Sequence, residues 1–136
     1  MTAAKLLLIW AWFTTQVLVS PCLDTPTMRV ADIERPGIAG TYEMWTHTIT
    51  VEPGTPRYVA VHEMAHHYFN ACGLAHRPVG RLFLRVTGYG WWSHDAAEDW
   101  ATTFTWVLTG SPQGGVYRVW RGAARSFDRI LAREGT

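Results

Sequence analysis

The sequence predicts a small α+β domain, and three observations carry that expectation. Residues 41–51 alternate with period 2, a helical pattern opening on a proline follows at 56–71, and two more helical stretches occupy the last third of the chain. With 136 residues there is room for one domain. A composition of 48% hydrophobic and 17% charged residues is that of a globular chain rather than a disordered one.

The elements follow in order. Lys5 precedes an apolar stretch running to Val19, broken only by Thr14, Thr15 and Gln16 and ended by Pro21. An apolar run of about 15 residues is short for a bilayer span and matches the h-region of a signal peptide, so residues 1–22 are expected to be a signal peptide or an N-terminal anchor. Residues 23–136 then form the single domain, placed outside the cytoplasm as a secreted or membrane-anchored protein. Cys22 and Cys72 are too few for a disulfide scaffold. Retention of residues 1–22 would let them pair.

Pro26, Pro36, Gly37 and Gly40 mark 23–40 as a lead-in of turns and extended pieces. In the strand that follows, Trp45, His47, Ile49 and Val51 share one side, and Thr46, Thr48 and Thr50 the other. Pro53 and Gly54 turn the chain, and Thr55 with Pro56 offers an N-cap and a first helical residue for the helix over 56–71, with Gly73 as its C-cap. Residues 74–93, which include Pro78, Gly80, Gly88 and Gly90, read as mostly irregular chain with a short strand or turn at 82–86. A second helix is expected from about Asp95 to Gly110. A third spans 117–133, with Val119, Ala123, Phe127, Ile130 and Leu131 as its apolar stripe.

Charge narrows the function classes. Twelve basic against eleven acidic residues leave a net charge of +1, too little for the basic field on which nucleic-acid binding depends. Arg118, Arg121, Arg125, Arg129 and Arg133 recur every three or four residues as one basic face. That face is a solvated surface by default, and with residues 1–22 it is the candidate for membrane or cell-envelope association. Tyr89, Gly90, Trp91 and Trp92 read as a hydrophobic plug over the core. The sequence says nothing of oligomeric state.

The chemistry concentrates at His62-Glu63-Met64-Ala65-His66, an H-E-x-x-H motif inside the first predicted helix of the domain. Histidines four apart lie on one helical face about 6 Å apart along the axis, so both imidazoles can reach one Zn²⁺. Glu63 lies one residue around the helix from His62, where it can reach a water on that metal and serve as general base. With six His and six Glu, the pattern arises by chance in about one such sequence in a hundred, so its helical context matters. A catalytic zinc site needs a third protein ligand. Glu98, near the start of the second helix, is the first candidate, and His76 and His94 are the others; Glu98 also fits a capping box with Asp95. His67 points about 100° away from the ligand face. Phe69 and Cys72 stand where a metzincin continuation needs glycine and histidine, which excludes that subclass.

A strand, a turn, an H-E-x-x-H helix and a second helix presenting glutamate together resemble a minimal gluzincin, a zincin-type zinc metallopeptidase, over roughly residues 41–110. The resemblance implies His62, His66 and Glu98 as zinc ligands, Glu63 as catalytic base, and a peptide or protein substrate. It also implies that the 45–51 strand is the edge strand lining the cleft. The alternative is a non-catalytic metal- or peptide-binding envelope module that keeps the zincin-like shell. Larger members carry an aspartate four residues after the ligand glutamate; here that position is Thr102, so Asp95 or Asp99 is left for orienting a ligand histidine. Tyr89, His94 and Tyr117 are the candidates for stabilising the oxyanion.

Overall fold

The computed structural model describes residues 1–17, 22–111, 117–124 and 127. Within them the chain is a small α+β domain with a three-stranded sheet, four α-helices and one short 3-10 helix. In chain order the elements are α1 (Ala3–Gln16), β1 (Thr27–Val30), β2 (Gly40–Glu43), β3 (Thr48–Val51), α2 (Arg57–Ala71), the 3-10 helix Leu74–His76, α3 (Pro78–Thr87) and α4 (His94–Thr109).

The single strand expected over 41–51 is a hairpin. Residues 44–47 turn the chain, and His47 takes a left-handed φ of 53°, which no continuous strand tolerates. Trp45 is consequently 86% exposed instead of facing the core. The sheet order is β1-β3-β2, with β1 parallel and β2 antiparallel to β3. The edge strand beside α2 is thus β2, and the 48–51 strand is central, burying Ile49 and Val51 completely.

The helix α2 begins one residue later than expected, with Pro56 as its N-cap, and Gly73 follows it at φ 60°. The largest difference lies at 74–93, where α3 replaces the irregular chain. Pro78 opens it, Val79 and Phe83 bury a turn apart, and Gly88 closes it at φ 79°. Gly80 does not break α3, because its missing side chain is a packing requirement. A Cβ there would meet the Leu74 carbonyl oxygen at 2.0 Å.

At the C-terminal end, Tyr117 to Trp120 are not helical and residues 121–124 and 127 are. Their amides explain the late start. Arg118 N and Trp120 N donate to Asp99 Oδ1 (2.9 Å) and Thr103 Oγ1 (3.0 Å) of α4, which ties the segment down in extended form. Ala123 and Phe127 of the expected stripe are buried; Ile130 and Leu131 lie outside the described residues, as do Arg125, Arg129 and Arg133 of the basic face. Arg118 lies over the Trp120 ring at 3.9 Å.

The N-terminal segment forms α1 and packs on α2, burying Leu6, Ile9, Trp10, Phe13 and Val17. Phe13 is fully enclosed, its ring 6.4 Å from that of Tyr68 and 6.0 Å from that of Phe104. Just beyond, Cys22 is disulfide-bonded to Cys72 at the end of α2. Among the described residues no helix is long and apolar enough to cross a membrane. In protein that keeps residues 1–22, Phe13→Ala is expected to lower stability by about 3–5 kcal/mol in urea unfolding. An unchanged midpoint would show that the folded form carries no α1.

Candidate metal site and cleft

The motif residues sit in the middle of α2, where Ala60, Val61, Met64 and Ala65 are fully buried and fix the helix's rotation. With that face inward, His62 and His66 turn toward α4. Ser93 caps α4, its side chain accepting from Ala96 N at 3.1 Å, so the N-cap is not Asp95 and Glu98 does not close a capping box. Glu98 instead faces the two histidines. Its Oε2 lies 3.0 Å from His62 Nε2 and its Oε1 3.0 Å from His66 Nε2, while the two Nε2 atoms are 3.2 Å apart.

The two imidazole nitrogens lie 3.2 Å apart, and each is 3.0 Å from a different oxygen of the Glu98 carboxylate, spacings near those around a four-coordinate ion. Bonds of about 2.0–2.1 Å to tetrahedral zinc place neighbouring donors about 3.3 Å apart. Two imidazoles and one carboxylate are donors that zinc accepts. His62, His66 and Glu98 thus form a group able to bind a metal ion, as do Asp24, His47 and His67. Of the other ligand candidates, His76 is exposed in the 3-10 helix outside this group, and His94 lies at the first turn of α4.

Glu63 lies on the same helix, only 7% exposed. Burial pushes its carboxyl above the ordinary glutamate range, against the lowering pull of His66 and His62. Burial acts on Glu98 in the same sense, yet hydrogen bonding to His62 and His66 overrides it and holds the Glu98 carboxyl well below its usual value. The two glutamates therefore lean in opposite directions, one toward holding a proton and the other toward staying ionised.

Strand β2 approaches α2 closely because residue 40 is glycine. A Cβ there would lie 2.8 Å from Val59 Cγ1 and 3.1 Å from Glu63 Cγ. Between β2, α2 and α4 lies a cleft of about 600 Å³, lined among others by Tyr42, Glu63, His66, Glu98, His94 and Tyr117.

The three oxyanion candidates separate. Tyr117 and His94 line this cleft together, His94 Nε2 lying 3.1 Å from Tyr117 Oη. Burial and the charge of Glu98 raise the Tyr117 hydroxyl above its ordinary value, so it stays a donor. Tyr89 turns away and donates to Asp99 Oδ2 at 2.7 Å, a bond that raises its hydroxyl to about 12. Asp99 also accepts from Trp120 Nε1 at 2.9 Å, so its carboxylate serves the C-terminal segment rather than a ligand histidine. Of the aromatic run, Trp92 packs on Phe69 and Phe83 as a plug does, but Trp91 is 71% exposed.

Sequence reasoning missed two contributors. Tyr42 and Gly40 were hidden because the period-2 pattern merged β2 into its hairpin partner; their only signal was the glycine preceding the alternation. Comparison with family models, with curated proteins and with solved structures finds no match for this chain.

Proposed function

We propose that the protein is a zinc-dependent peptidase of zincin-like design, acting on peptide or protein substrates outside the cytoplasm. The observation that carries the reading is the meeting of His62 Nε2 and His66 Nε2 with the two oxygens of the Glu98 carboxylate, in a cleft that the buried Glu63 also lines. An extracytoplasmic setting is supported by the Cys22–Cys72 bond, a pairing that persists in oxidising compartments.

His62, His66 and Glu98 would hold a Zn²⁺, which would supply Lewis acidity toward water and a peptide carbonyl. The chain's own residues do the rest. A Glu63 carboxylate oxygen accepts the proton from the attacking water, and the elevated affinity that burial gives this carboxyl suits it to hold that proton until the amine leaves. Strand β2 is an edge, so an extended peptide can pair with it and run past Glu63 along the cleft. The Tyr117 hydroxyl donates to the carbonyl oxygen as charge develops there, and His94 orients that hydroxyl.

Digestion of a broad peptide library by the zinc-loaded full chain tests the reading. Cleavage that a chelator abolishes and zinc restores is the expected result. A protein that keeps its zinc and leaves every peptide intact is a binding module instead. Tyr117→Phe is expected to slow hydrolysis about tenfold or more without changing zinc content. Full activity in that variant would remove Tyr117 from the reaction.

A further inference from the structure

A second cluster of donors lies beside α2 and is not used by the proposed chemistry. The geometry points to a structural zinc site formed by Asp24, His47 and His67, which clamps the lead-in segment and the β-hairpin turn onto α2. It does not depend on the catalytic reading.

The three residues come from three separate segments: Asp24 from the chain before β1, His47 from the turn between β2 and β3, and His67 from α2. Their donor atoms converge. His47 Nδ1 lies 3.1 Å from Asp24 Oδ2, and His67 Nε2 lies 3.4 Å from Asp24 Oδ1 and 2.7 Å from the Asp24 carbonyl oxygen. The two carboxylate separations bracket the distance of about 3.3 Å between neighbouring donors on four-coordinate zinc. The His47 and His67 rings meet edge to face with centroids 5.1 Å apart. Imidazole and carboxylate donors are those that zinc accepts.

Two more features suit a ligand role. His67 is completely buried, and its far nitrogen, Nδ1, is 3.0 Å from Tyr42 Oη, which Asn70 Nδ2 holds in turn at 3.0 Å. A metal-binding histidine is commonly oriented through its second nitrogen in this way. His47 sits in this cluster with a backbone φ of 53°, a conformation costly for a residue with a Cβ.

Without metal, His67 Nε2–H donates to the Asp24 carbonyl and Nδ1 accepts from Tyr42 Oη. Zinc on Nε2 would displace the Asp24 carbonyl from its 2.7 Å position, and the proton would move to Nδ1 and be donated to Tyr42 Oη, so the ring would stay neutral and no net proton be released. Tyr42 Oη then accepts from both His67 and Asn70. Its own hydrogen must turn toward the cleft that Tyr42 lines.

Titration of the metal-free full chain with Zn²⁺ tests the assignment. Wild type is expected to take up two equivalents, His47→Asn one, and His62→Ala/His66→Ala one. Asparagine at 47 tolerates the left-handed backbone, so the variant removes the imidazole while keeping the turn. Asp24→Ser, altered at a side chain that is 59% exposed, provides a second variant should His47→Asn fold poorly. The affinity lost at this site is expected to be about 10²-fold or more. A zinc-dependent rise in Tm should survive in His62→Ala/His66→Ala and be halved or lost in His47→Asn. Equal zinc uptake by wild type, His47→Asn and Asp24→Ser overturns this site and leaves the catalytic reading standing. Zinc retained by His62→Ala/His66→Ala and lost by His47→Asn supports this site, whatever becomes of the peptidase.

Discussion

Glu63→Gln is expected to lower peptide hydrolysis by at least about 10²-fold while zinc content and fold stay unchanged, since that is the scale on which a positioned general base acts. The substitution keeps the shape of a side chain that is 7% exposed and wedged against Gly40, so packing between α2 and β2 is preserved. What it removes is the capacity to accept a proton. A structural role for Glu63 predicts the opposite pattern, with activity falling only as far as stability falls. Measuring turnover, bound zinc and the unfolding midpoint on the same preparation distinguishes the two. An active Glu63→Gln protein would assign the proteolysis to another site or to a contaminant.

The second large effect concerns the ligands. His62→Ala or His66→Ala is expected to abolish tight zinc binding at this site, and Glu98→Ala to weaken it by about an order of magnitude or more. The asymmetry has a physical basis. Both histidines share α2 and would meet a metal as a preformed pair, their rings 4.9 Å apart, whereas Glu98 reaches in from α4. Removing either histidine leaves Glu98 ionised among fewer partners, because its depressed pKa rests on hydrogen bonds to both. Zinc bound with full affinity by Glu98→Ala would transfer the third ligand to His94, which lines the same cleft.

The site was far more legible in the sequence than the sheet around it. His62, Glu63 and His66 are local in the chain, and helical geometry alone sets their relation once the helix is recognised. Glu98 was harder, since 32 residues part it from His66 and only the packing of α4 on α2 brings them together. The strand pattern misled because alternation continued unbroken through residues 44–47, which contain no glycine or proline to mark a turn. At 74–93 the error ran the other way. Glycines and a proline were read as breakers, yet Pro78 starts α3, Gly80 allows close packing and Gly88 ends it. The tertiary reason for Gly80, contact with the Leu74 carbonyl, is invisible in the one-dimensional pattern. The N-terminal stretch poses the same problem, because an h-region and a buried helix are both short apolar runs.

The Cys22–Cys72 bond ties off a ring of chain with a sequence separation of 50, and all three strands and α2 lie within it. Chain-entropy arguments give closure of such a loop a stabilising effect of about 4 kcal/mol, acting on the unfolded ensemble. The ring divides the metal donors unequally. His62 and His66 belong to it, and Glu98 does not, so the oxidised unfolded chain already keeps the β-strands near the two histidines while α4 still roams. A zinc ion held at His62 and His66 would gain its carboxylate only when α4 docks, so zinc affinity would gauge that docking and zinc would in turn latch the part of the chain that the disulfide leaves unrestrained.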